Sequence, residues 1–264
     1  MDLKLKGRHA LVTGSTAGIG YAIAKGLAAE GARVTLTGRT QASVEAALAR
    51  LRKDAPAAQA EGVAADCASA PGAEQVFARV RECDILINNL GIYERKAFFD
   101  ITDADWQRLF EVNVLSGIRF ARRYARAMAE RGWGRVIFVS SESALNIPKE
   151  MVHYGTTKTA QLSISRGLAM ELAGTGVTVN ALLPGPTRTE TTDRLRAERA
   201  RAAGKSVEEI EREFFVNFRP TSLLKRFTSA EEVANLAVYL CGEAASATTG
   251  AALRVDGGTV NQIM

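Results

Sequence analysis

Short apolar runs alternate with amphipathic segments along most of the chain. "HALVT" and "ARVTLTG" are rich in leucine and β-branched residues and stop at Gly14 and Gly38, a pattern typical of strands buried on both faces. Between them, "YAIAKGLAAEG" has the apolar spacing of a helix and ends at Gly31, a residue type that often follows a helix C-terminus. These segments predict one strand, helix, strand unit.

The same alternation continues to the end of the chain. The pattern predicts helices over "TQASVEAALARLRKD", "GAEQVFARVREC", residues 103–131, "HYGTTKTAQLSISRGLAMELA" and "SAEEVANLAVYLCG". It predicts strands over "AEGVAAD", "DILINN", "GRVIFVS", "VTVNALLP" and "GAALRVDGG". Strict alternation predicts an α/β fold, a doubly wound, Rossmann-type parallel sheet of about seven strands with helices on both faces. Ligands of such sheets bind at the carboxyl ends of the strands.

One segment, residues 186–228, interrupts this alternation. It is too long for a simple connection and rich in charged helix formers, so we expect one or two helices that project above the ligand edge as a substrate lid. Its basic side chains are compatible with an anionic substrate and equally with a solvated helix face. They include Arg188, Arg194, Arg196 and Lys205.

Length and composition are those of an ordinary globular protein. The chain has 264 residues, of which 47% are hydrophobic and 24% charged, so we expect a single domain over residues 1–264. The formal charge of +5 is spread along helices in which arginines alternate with acids, and no basic run is interleaved with aromatic residues. This pattern argues against a nucleic-acid partner.

The number and spacing of the cysteines and histidines argue against a disulfide framework and a metal site. Cys67, Cys83 and Cys241 are far apart and odd in number, which fits a reducing cytoplasm better than a disulfide framework. We expect no metal site, because the chain has two histidines and no clustered cysteines. His9 is interpreted as a strand-entry residue and His153 as a substrate-loop or surface residue. Neither an export signal nor a membrane span is indicated.

A glycine-rich turn follows the first predicted strand. In "TGSTAGIG", Gly14 permits the tight turn, Gly18 lets the backbone approach a pyrophosphate, and Gly20 allows close packing of helix against strand. The N-terminus of the following helix supplies free N–H groups and positive potential. In this context the turn predicts a dinucleotide site rather than a merely flexible loop.

The end of the second strand selects the nucleotide. An acid there binds the adenine-ribose 2′-hydroxyl, whereas an arginine accommodates a 2′-phosphate. "TLTGRTQ" contains Arg39 and no Asp or Glu at positions 35–41, which favours NADP. NAD stays open, since Ala17 adds no second basic residue in the glycine turn and Arg39 fits a solvated position as well.

A phenol and an ammonium are predicted on one face of a helix. Tyr154 and Lys158 are four residues apart in "HYGTTKT", which brings their side chains together, and Ser141 lies thirteen residues upstream of Tyr154. In isolation the pair would also fit a surface tyrosine beside a lysine that extends to solvent, and Ser141 would fit a turn. The three together with the glycine turn predict proton-transfer chemistry.

These motifs, in this order, resemble those of the short-chain dehydrogenase/reductase family over nearly the whole chain. The spacing of Gly14, Gly18 and Gly20 is similar to the family's glycine motif, and "NNLG" at 88–91 resembles its Asn-Asn-Ala-Gly stretch, with leucine at position 90. Asn113 in "FEVNV", then Ser141, Tyr154 and Lys158, and finally "PGPTRT" at 184–189 follow the family's order.

The resemblance implies a catalytic role for each of four residues. Tyr154 would donate a proton to a ketone oxygen, or remove one from an alcohol, and Ser141 would hold that oxygen in reach. Lys158 would bind the nicotinamide ribose and, together with the positive charge of the oxidised nicotinamide, stabilise the phenolate, which needs ~4 kcal/mol at pH 7. Asn113 would hold a water that links Lys158 to solvent, unless it is a structural amide that kinks its helix.

The resemblance also implies the cofactor contacts. Asp66 would face the adenine, Asn89 and Gly91 would line the adenosine side, and Val179 or the backbone of 184–189 would meet the carboxamide. The expected cofactor-binding residues are Gly14, Ser15, Thr16, Gly18, Ile19, Gly20, Arg39, Asp66, Cys67, Asn89, Gly91, Tyr154, Lys158, Pro184, Gly185, Thr187 and Thr189.

The sequence therefore predicts an NADP(H)-dependent oxidoreductase that acts on a small-molecule carbonyl or secondary alcohol. A NAD-dependent sugar or polyol dehydrogenase and a 3-oxoacyl thioester reductase remain open within that class, and an inactive dinucleotide-binding sensor or scaffold outside it. The predicted helices "IRFARRYARAM" and "AQLSISRGLAMEL" are more apolar than the outer helices of a monomer need to be. Together with the resemblance, they predict a homotetramer.

Overall fold

The centre of the computed structural model, which describes residues 2–263, is one sheet of seven parallel strands. The strands are β1 (His9–Val12), β2 (Arg33–Gly38), β3 (Ala60–Ala64), β4 (Ile85–Asn88), β5 (Gly134–Val139), β6 (Val177–Pro184) and β7 (Ala252–Val255). Their order across the sheet is β3-β2-β1-β4-β5-β6-β7. The chain winds outward from β1 in both directions, which confirms the predicted doubly wound fold.

Helices cover both faces of the sheet. On one face lie α1 (Gly18–Ala29), α2 (Gln41–Asp54) and α9 (Ala230–Cys241). On the other lie α3 (Ala70–Arg79), α5 (Ser116–Glu130) and α6 (Val152–Glu171). The remaining helices are α4 (Asp103–Phe110), which leads into α5, and α7 (Glu190–Ala203) and α8 (Val207–Asn217), which follow β6.

The central strands separate two apolar cores. In β1, Leu11 packs into the core under α3 and α5, whereas Ala10 and Val12 pack into the core under α1 and α9. Side chains alternate between the two faces of a strand, and here both faces are covered by helices. This is why the strands are continuous apolar runs in the sequence.

The sheet register brings the strand ends to one edge. Val12 pairs with Leu36 of β2 and with Ile87 of β4, so the glycine turn after β1 and the segment after β4 emerge side by side. On the far side of β4, Asn88 pairs with Phe138 of β5, near the end of that strand. The loops that carry the predicted site therefore leave the sheet together.

The helix predicted over residues 103–131 is interrupted by one π-helical turn. The turn, Glu111–Leu115, lies between α4 and α5, and Asn113 within it is buried. A π turn inserts one extra residue into a helix and is often found at functional sites. The prediction of a helix is confirmed, and the interruption falls on the asparagine that the sequence analysis singled out.

The helix predicted over "GAEQVFARVREC" is displaced toward the N-terminus. It begins at Ala70, where Ser69 accepts a hydrogen bond from the Gly72 N–H, and it ends at Arg79. Val80 is buried and extended, so the chain turns down toward β4 before the predicted end. Burial of Val80 and Cys83 under the sheet overrides the helical spacing of these last residues.

The lid predicted at 186–228 contains two helices, α7 and α8. Gly204 separates them and has a left-handed φ of 64°, a conformation that glycine adopts without steric cost. The two ends of the lid are tied together, because the Arg188 N–H donates to the Thr228 carbonyl and the Thr228 N–H donates to the Pro186 carbonyl. The lid is thus a long insertion after β6 whose two ends are hydrogen-bonded to each other.

Two glycines in α6 provide a matched test of how this helix is positioned. An added Cβ at Gly155 would lie 2.7 Å from Ile147 Cγ2 and 3.0 Å from the Ser143 carbonyl, whereas nothing lies within 4 Å of one at Gly167. We expect Gly167→Ala to stabilise the protein by about 0.5–1 kcal/mol through helix propensity. We expect Gly155→Ala to destabilise it by about 1–3 kcal/mol, since the helix must move away from its support.

The free energies of unfolding of both variants can be measured by chemical denaturation. Equal stabilisation by the two substitutions would contradict the close packing of α6 against the 142–144 turn.

Candidate functional site

A cleft with a volume of about 700 Å³ lies at the carboxyl edge of the sheet. It is bounded by the glycine turn after β1, the loops after β4 and β5, the start of α6 and the first turns of the lid. The predicted site residues that line it are Ile19, Gly20, Arg39, Asn89, Gly91, Ser141, Tyr154, Lys158, Pro184, Gly185, Thr187 and Thr189. Segments far apart in the sequence therefore share one cavity.

The glycine turn is shaped by contacts that leave no room for side chains. Gly14 and Gly18 have left-handed φ values of 61° and 56°, and an added Cβ at Gly20 would lie 2.4 Å from Asn89 Nδ2. That amide donates to the carbonyls of Thr13 and Gly14, both at 3.0 Å. Asn89 thus fixes the shape of the turn in addition to lining the cleft.

Lys158 is buried beside the cleft without an acidic partner. Its ammonium donates to the Val139 carbonyl at 2.9 Å and to Gln161 Oε1 at 3.3 Å, and it lies 5.7 Å from the centre of the Tyr154 ring. Because only neutral acceptors compensate for the lost hydration, burial lowers the pKa of Lys158 to about 7.

Burial shifts the phenol in the opposite direction. Desolvation raises the pKa of Tyr154 to about 12, and the neighbouring Ser141 hydroxyl only partly offsets this. This shift favours the neutral phenol at pH 7, and stabilisation of the phenolate by Lys158 together with the oxidised cofactor stays a prediction. Both groups are shifted toward their uncharged forms, since the protein alone supplies little charge to this part of the cleft.

Asn113 and Gln161 form a buried network behind Lys158. The Asn113 side chain accepts from the Ile92 N–H at 2.8 Å and donates to the Ile92 carbonyl at 2.9 Å. Its backbone carbonyl accepts from Gln161 Nε2 at 2.5 Å, and Gln161 in turn accepts from Lys158. Gln161 was not predicted, although its place three residues after Lys158 puts it on the same side of the helix.

Other predicted residues lie near the cleft without lining it. Ser15 is buried and donates to the Val12 carbonyl, Cys67 belongs to the core, and Asp66 accepts from the Ala68 N–H in the turn before α3. Val179 is buried in the middle of β6, away from the cleft. The remaining predicted residues outside the lining are Gly14, Thr16, Gly18 and Asn113.

His153 is not a surface residue, contrary to the sequence-based interpretation. Its side chain is fully buried and packs edge-on against Trp106, with ring centroids 6.0 Å apart. Burial lowers the pKa of His153, which favours the neutral ring. The interpretation failed because α4 covers this side of α6. His9, by contrast, begins β1 as predicted and is held by the Glu82 carbonyl and Thr35.

Arg39 stands at the mouth of the cleft, where β2 ends. Its side chain is exposed, and no Asp or Glu is among the residues that line the cavity. Within residues 2–263 it forms no ion pair, whereas Arg50 nearby is paired with Glu190 at 3.0 Å. The guanidinium of Arg39 is therefore available to an anion bound beside the glycine turn.

One contact joins the lid directly to the glycine turn. Glu190, the first residue of α7, accepts from the Gly18 N–H at 2.9 Å through one carboxylate oxygen and from Arg50 through the other. Arg50 also stacks on the Tyr21 ring, 3.5 Å from its centre. Neither Glu190 nor Arg50 was predicted from the sequence. Glu190 lies 172 positions after Gly18, and no local spacing connects residues so far apart.

Two features are absent from the part of the chain that the structure describes. No helix within it is long and apolar enough to cross a membrane. It also contains no group of three or more His, Cys, Asp or Glu residues arranged to hold a metal ion.

Comparisons with known proteins agree on one family. Residues 8–200 match the family described as short chain dehydrogenase. The uncharacterized oxidoreductase YvaG of Bacillus subtilis is 45% identical over 263 residues, with full coverage of both chains. The 3-oxoacyl-acyl-carrier-protein reductase FabG of Aquifex aeolicus is 35% identical and covers 98% of this chain and 99% of its own.

A solved structure is similar over the same length. L-sorbose reductase from Gluconobacter frateurii, complexed with NADPH and L-sorbose, superimposes with a TM-score of 0.94 at 32% identity and full coverage of both chains.

Proposed function

The chain belongs to the short-chain dehydrogenase family of NAD(P)-dependent oxidoreductases, and from this premise we propose that it transfers hydride between NADP(H) and a carbonyl or secondary alcohol, with Tyr154 as the proton donor and acceptor. The observation that carries the proposal is that one cleft is lined both by the glycine turn with Arg39 and by Ser141, Tyr154 and Lys158.

The residues of the cleft fit a dinucleotide with a 2′-phosphate. Ala17, Ile19 and Gly20 line the cavity where a pyrophosphate would lie, and a side chain at Gly20 would collide with Asn89. Arg39, without an acidic partner, would bind the 2′-phosphate. NADPH, when bound, supplies the hydride, and a structural neighbour of this chain is complexed with NADPH.

The residues around the substrate oxygen have distinct tasks. The pKa of about 12 keeps Tyr154 protonated at neutral pH, so the phenol is ready to donate a proton to a ketone oxygen as hydride arrives. Ser141 would hold that oxygen within reach of the phenol. Lys158, 5.7 Å from the ring, would orient the ribose and supply positive charge when protonated.

The relatives suggest two classes of carbonyl substrate. L-sorbose is the ligand of one similar structure, and a 3-oxoacyl reductase is a relative over nearly the full length. A sugar or polyol dehydrogenase and a thioester reductase are therefore the first activities to test, each with NADPH and NADH. Nothing in the cleft favours an inactive sensor, since Ser141, Tyr154 and Lys158 are all present and adjacent to it.

We also propose that residues 1–264 act as one domain that forms a homotetramer. A groove of about 430 Å³ between α5 and α6 is lined by apolar side chains such as Ile118, Ala125 and Leu168, and Met170 nearby is 66% exposed. Burial of such a face in self-association would remove apolar surface from water. Sedimentation velocity at micromolar concentration should give a species of four chains, and a monomer would exclude this part of the proposal.

Removal of the phenol hydroxyl tests the catalytic assignment. We expect Tyr154→Phe to lower kcat for ketone reduction by at least ~10²-fold, the low end for a lost acid/base group. NADPH affinity, measured by the change in its fluorescence, should stay unchanged because the ring remains in place. Tyr239→Phe, which removes a hydroxyl far from the cleft, is the control. Full turnover by Tyr154→Phe would remove the tyrosine from the mechanism, and NADPH binding without turnover of any substrate by the wild type would favour a sensor.

A charge reversal tests the nucleotide preference. We expect Arg39→Asp to weaken NADPH binding by about tenfold or more, since a charged hydrogen-bond donor to phosphate is lost, and to favour NADH. Arg33→Asp, at the opposite end of the same strand, is the matched control. An unchanged ratio of kcat/KM for the two cofactors would show that the 2′-phosphate is bound by other residues.

A further inference from the structure

A second cavity, with a volume of about 310 Å³, adjoins the cleft beneath the lid. Tyr93, Thr192 and Leu195 line both cavities. Tyr93 also packs edge-on against Tyr154, with ring centroids 6.1 Å apart. The second cavity therefore extends from the side of the proposed reacting phenol toward the lid helices.

Most of the wall of this cavity is apolar. Ile210 and Phe214 from α8 face Phe227 at the end of the lid, and the rings of Phe214 and Phe227 stack with centroids 4.9 Å apart. Such a wall binds an apolar segment of a ligand by removing it from water.

Two arginines stand in this wall without acidic partners. Arg95, after β4, and Arg199, on α7, come from different parts of the fold and approach the same ring, at 4.8 and 5.6 Å from the centre of Phe218. Both are exposed, and neither forms an ion pair within residues 2–263. No Asp or Glu lines the cavity.

The four basic lid residues named in the sequence analysis form ion pairs, which changes the expectation from the sequence. Each of the four basic residues named there is paired with an acid: Arg188 with Glu211, Arg194 with Glu198, Arg196 with Asp193 and Glu211, and Lys205 with Glu213. Of the three arginines that line this cavity, Arg196 is one of these paired residues, so the unpaired positive charge in the wall is that of Arg95 and Arg199.

Building on the proposed oxidoreductase function, we infer that the substrate carries an anionic group, a carboxylate or a phosphate, separated from the reacting carbon by an apolar segment. The apolar segment lies along Phe214 and Phe227, and Arg95 and Arg199 bind the anion. Arginine is suited to this role because its planar fork of donors matches both carboxylate and phosphate oxygens. These residues select the substrate and take no part in proton transfer.

Matched substrates test the inference. Levulinate and its longer straight-chain oxo-acid homologues are compared with the corresponding primary amides, which keep the shape and lose the charge. A second arm compares dihydroxyacetone phosphate with dihydroxyacetone, so that a preference for carboxylate is distinguished from one for phosphate. With NADPH, the wild type should show kcat/KM at least about tenfold higher for the charged member of one series, as expected for a hydrogen bond to a charged group.

Variants assign the preference to the two arginines. We expect Arg95→Gln and Arg199→Gln each to raise KM for the charged substrate by about tenfold with little change in kcat, and to leave the neutral substrate unaffected. Added salt should raise KM for the charged substrate of the wild type and have less effect in the double variant. Arg194→Gln is the control, because Arg194 lies on the same helix and is paired with Glu198.

Three outcomes would overturn the inference. The first is equal kcat/KM for charged and neutral members of both series, the second is an equal effect of the variants on both, and the third is the same loss in Arg194→Gln. Turnover of the neutral ketones in these cases would leave the proposed oxidoreductase function intact. Absence of turnover with every ketone, charged and neutral, would overturn the proposed function and this inference with it.

Discussion

The site is organised around an ammonium that is buried without a carboxylate. Lys158 donates to a backbone carbonyl and to the Gln161 amide, so burial lowers its pKa to about 7. Gln161 donates to the backbone carbonyl of Asn113, a buried residue of the π turn. Gly91 leaves space for the ammonium, since an added Cβ at this position would lie 3.2 Å from Lys158 Nζ. A network of neutral groups thus holds a cation whose charge state is sensitive to whatever binds beside it.

The same low-polarity environment gives the phenol its proposed task. Burial raises the pKa of Tyr154 to about 12, so the protein by itself favours the protonated form, which suits donation to a ketone oxygen. In the reverse direction a phenolate would be required, and the positive charge that stabilises it must come from Lys158 together with the bound oxidised cofactor. Desolvation therefore causes both pKa shifts. The signs are opposite because tyrosine becomes charged when it loses a proton, whereas lysine becomes charged when it gains one.

The lid connects the nucleotide and substrate parts of the molecule. Glu190 at the start of α7 contacts the glycine turn, while Arg199 further along the same helix reaches the wall of the second cavity. Backbone hydrogen bonds between Thr228 and the first residues of the lid hold its two ends together. One helix thus contacts the proposed phosphate site at one end and the proposed substrate-selective site along its length, so the position of the lid affects both.

Features that depend on local spacing could be predicted from the order of residues alone. Apolar periodicity specified the alternation of strands and helices, the three glycines marked the turn, and the four-residue interval between Tyr154 and Lys158 put both on one helical face. The sequence did not show which charged side chains form ion pairs: four basic residues of the lid do, whereas Arg95 and Arg199 do not. It also did not show that Glu190 contacts Gly18, 172 positions away. Nor did it reveal that α4 buries His153 or that Gln161 links Lys158 to Asn113. Ion pairing and burial depend on distances between elements, and those distances are set by packing of the whole fold, so these features became visible only in three dimensions.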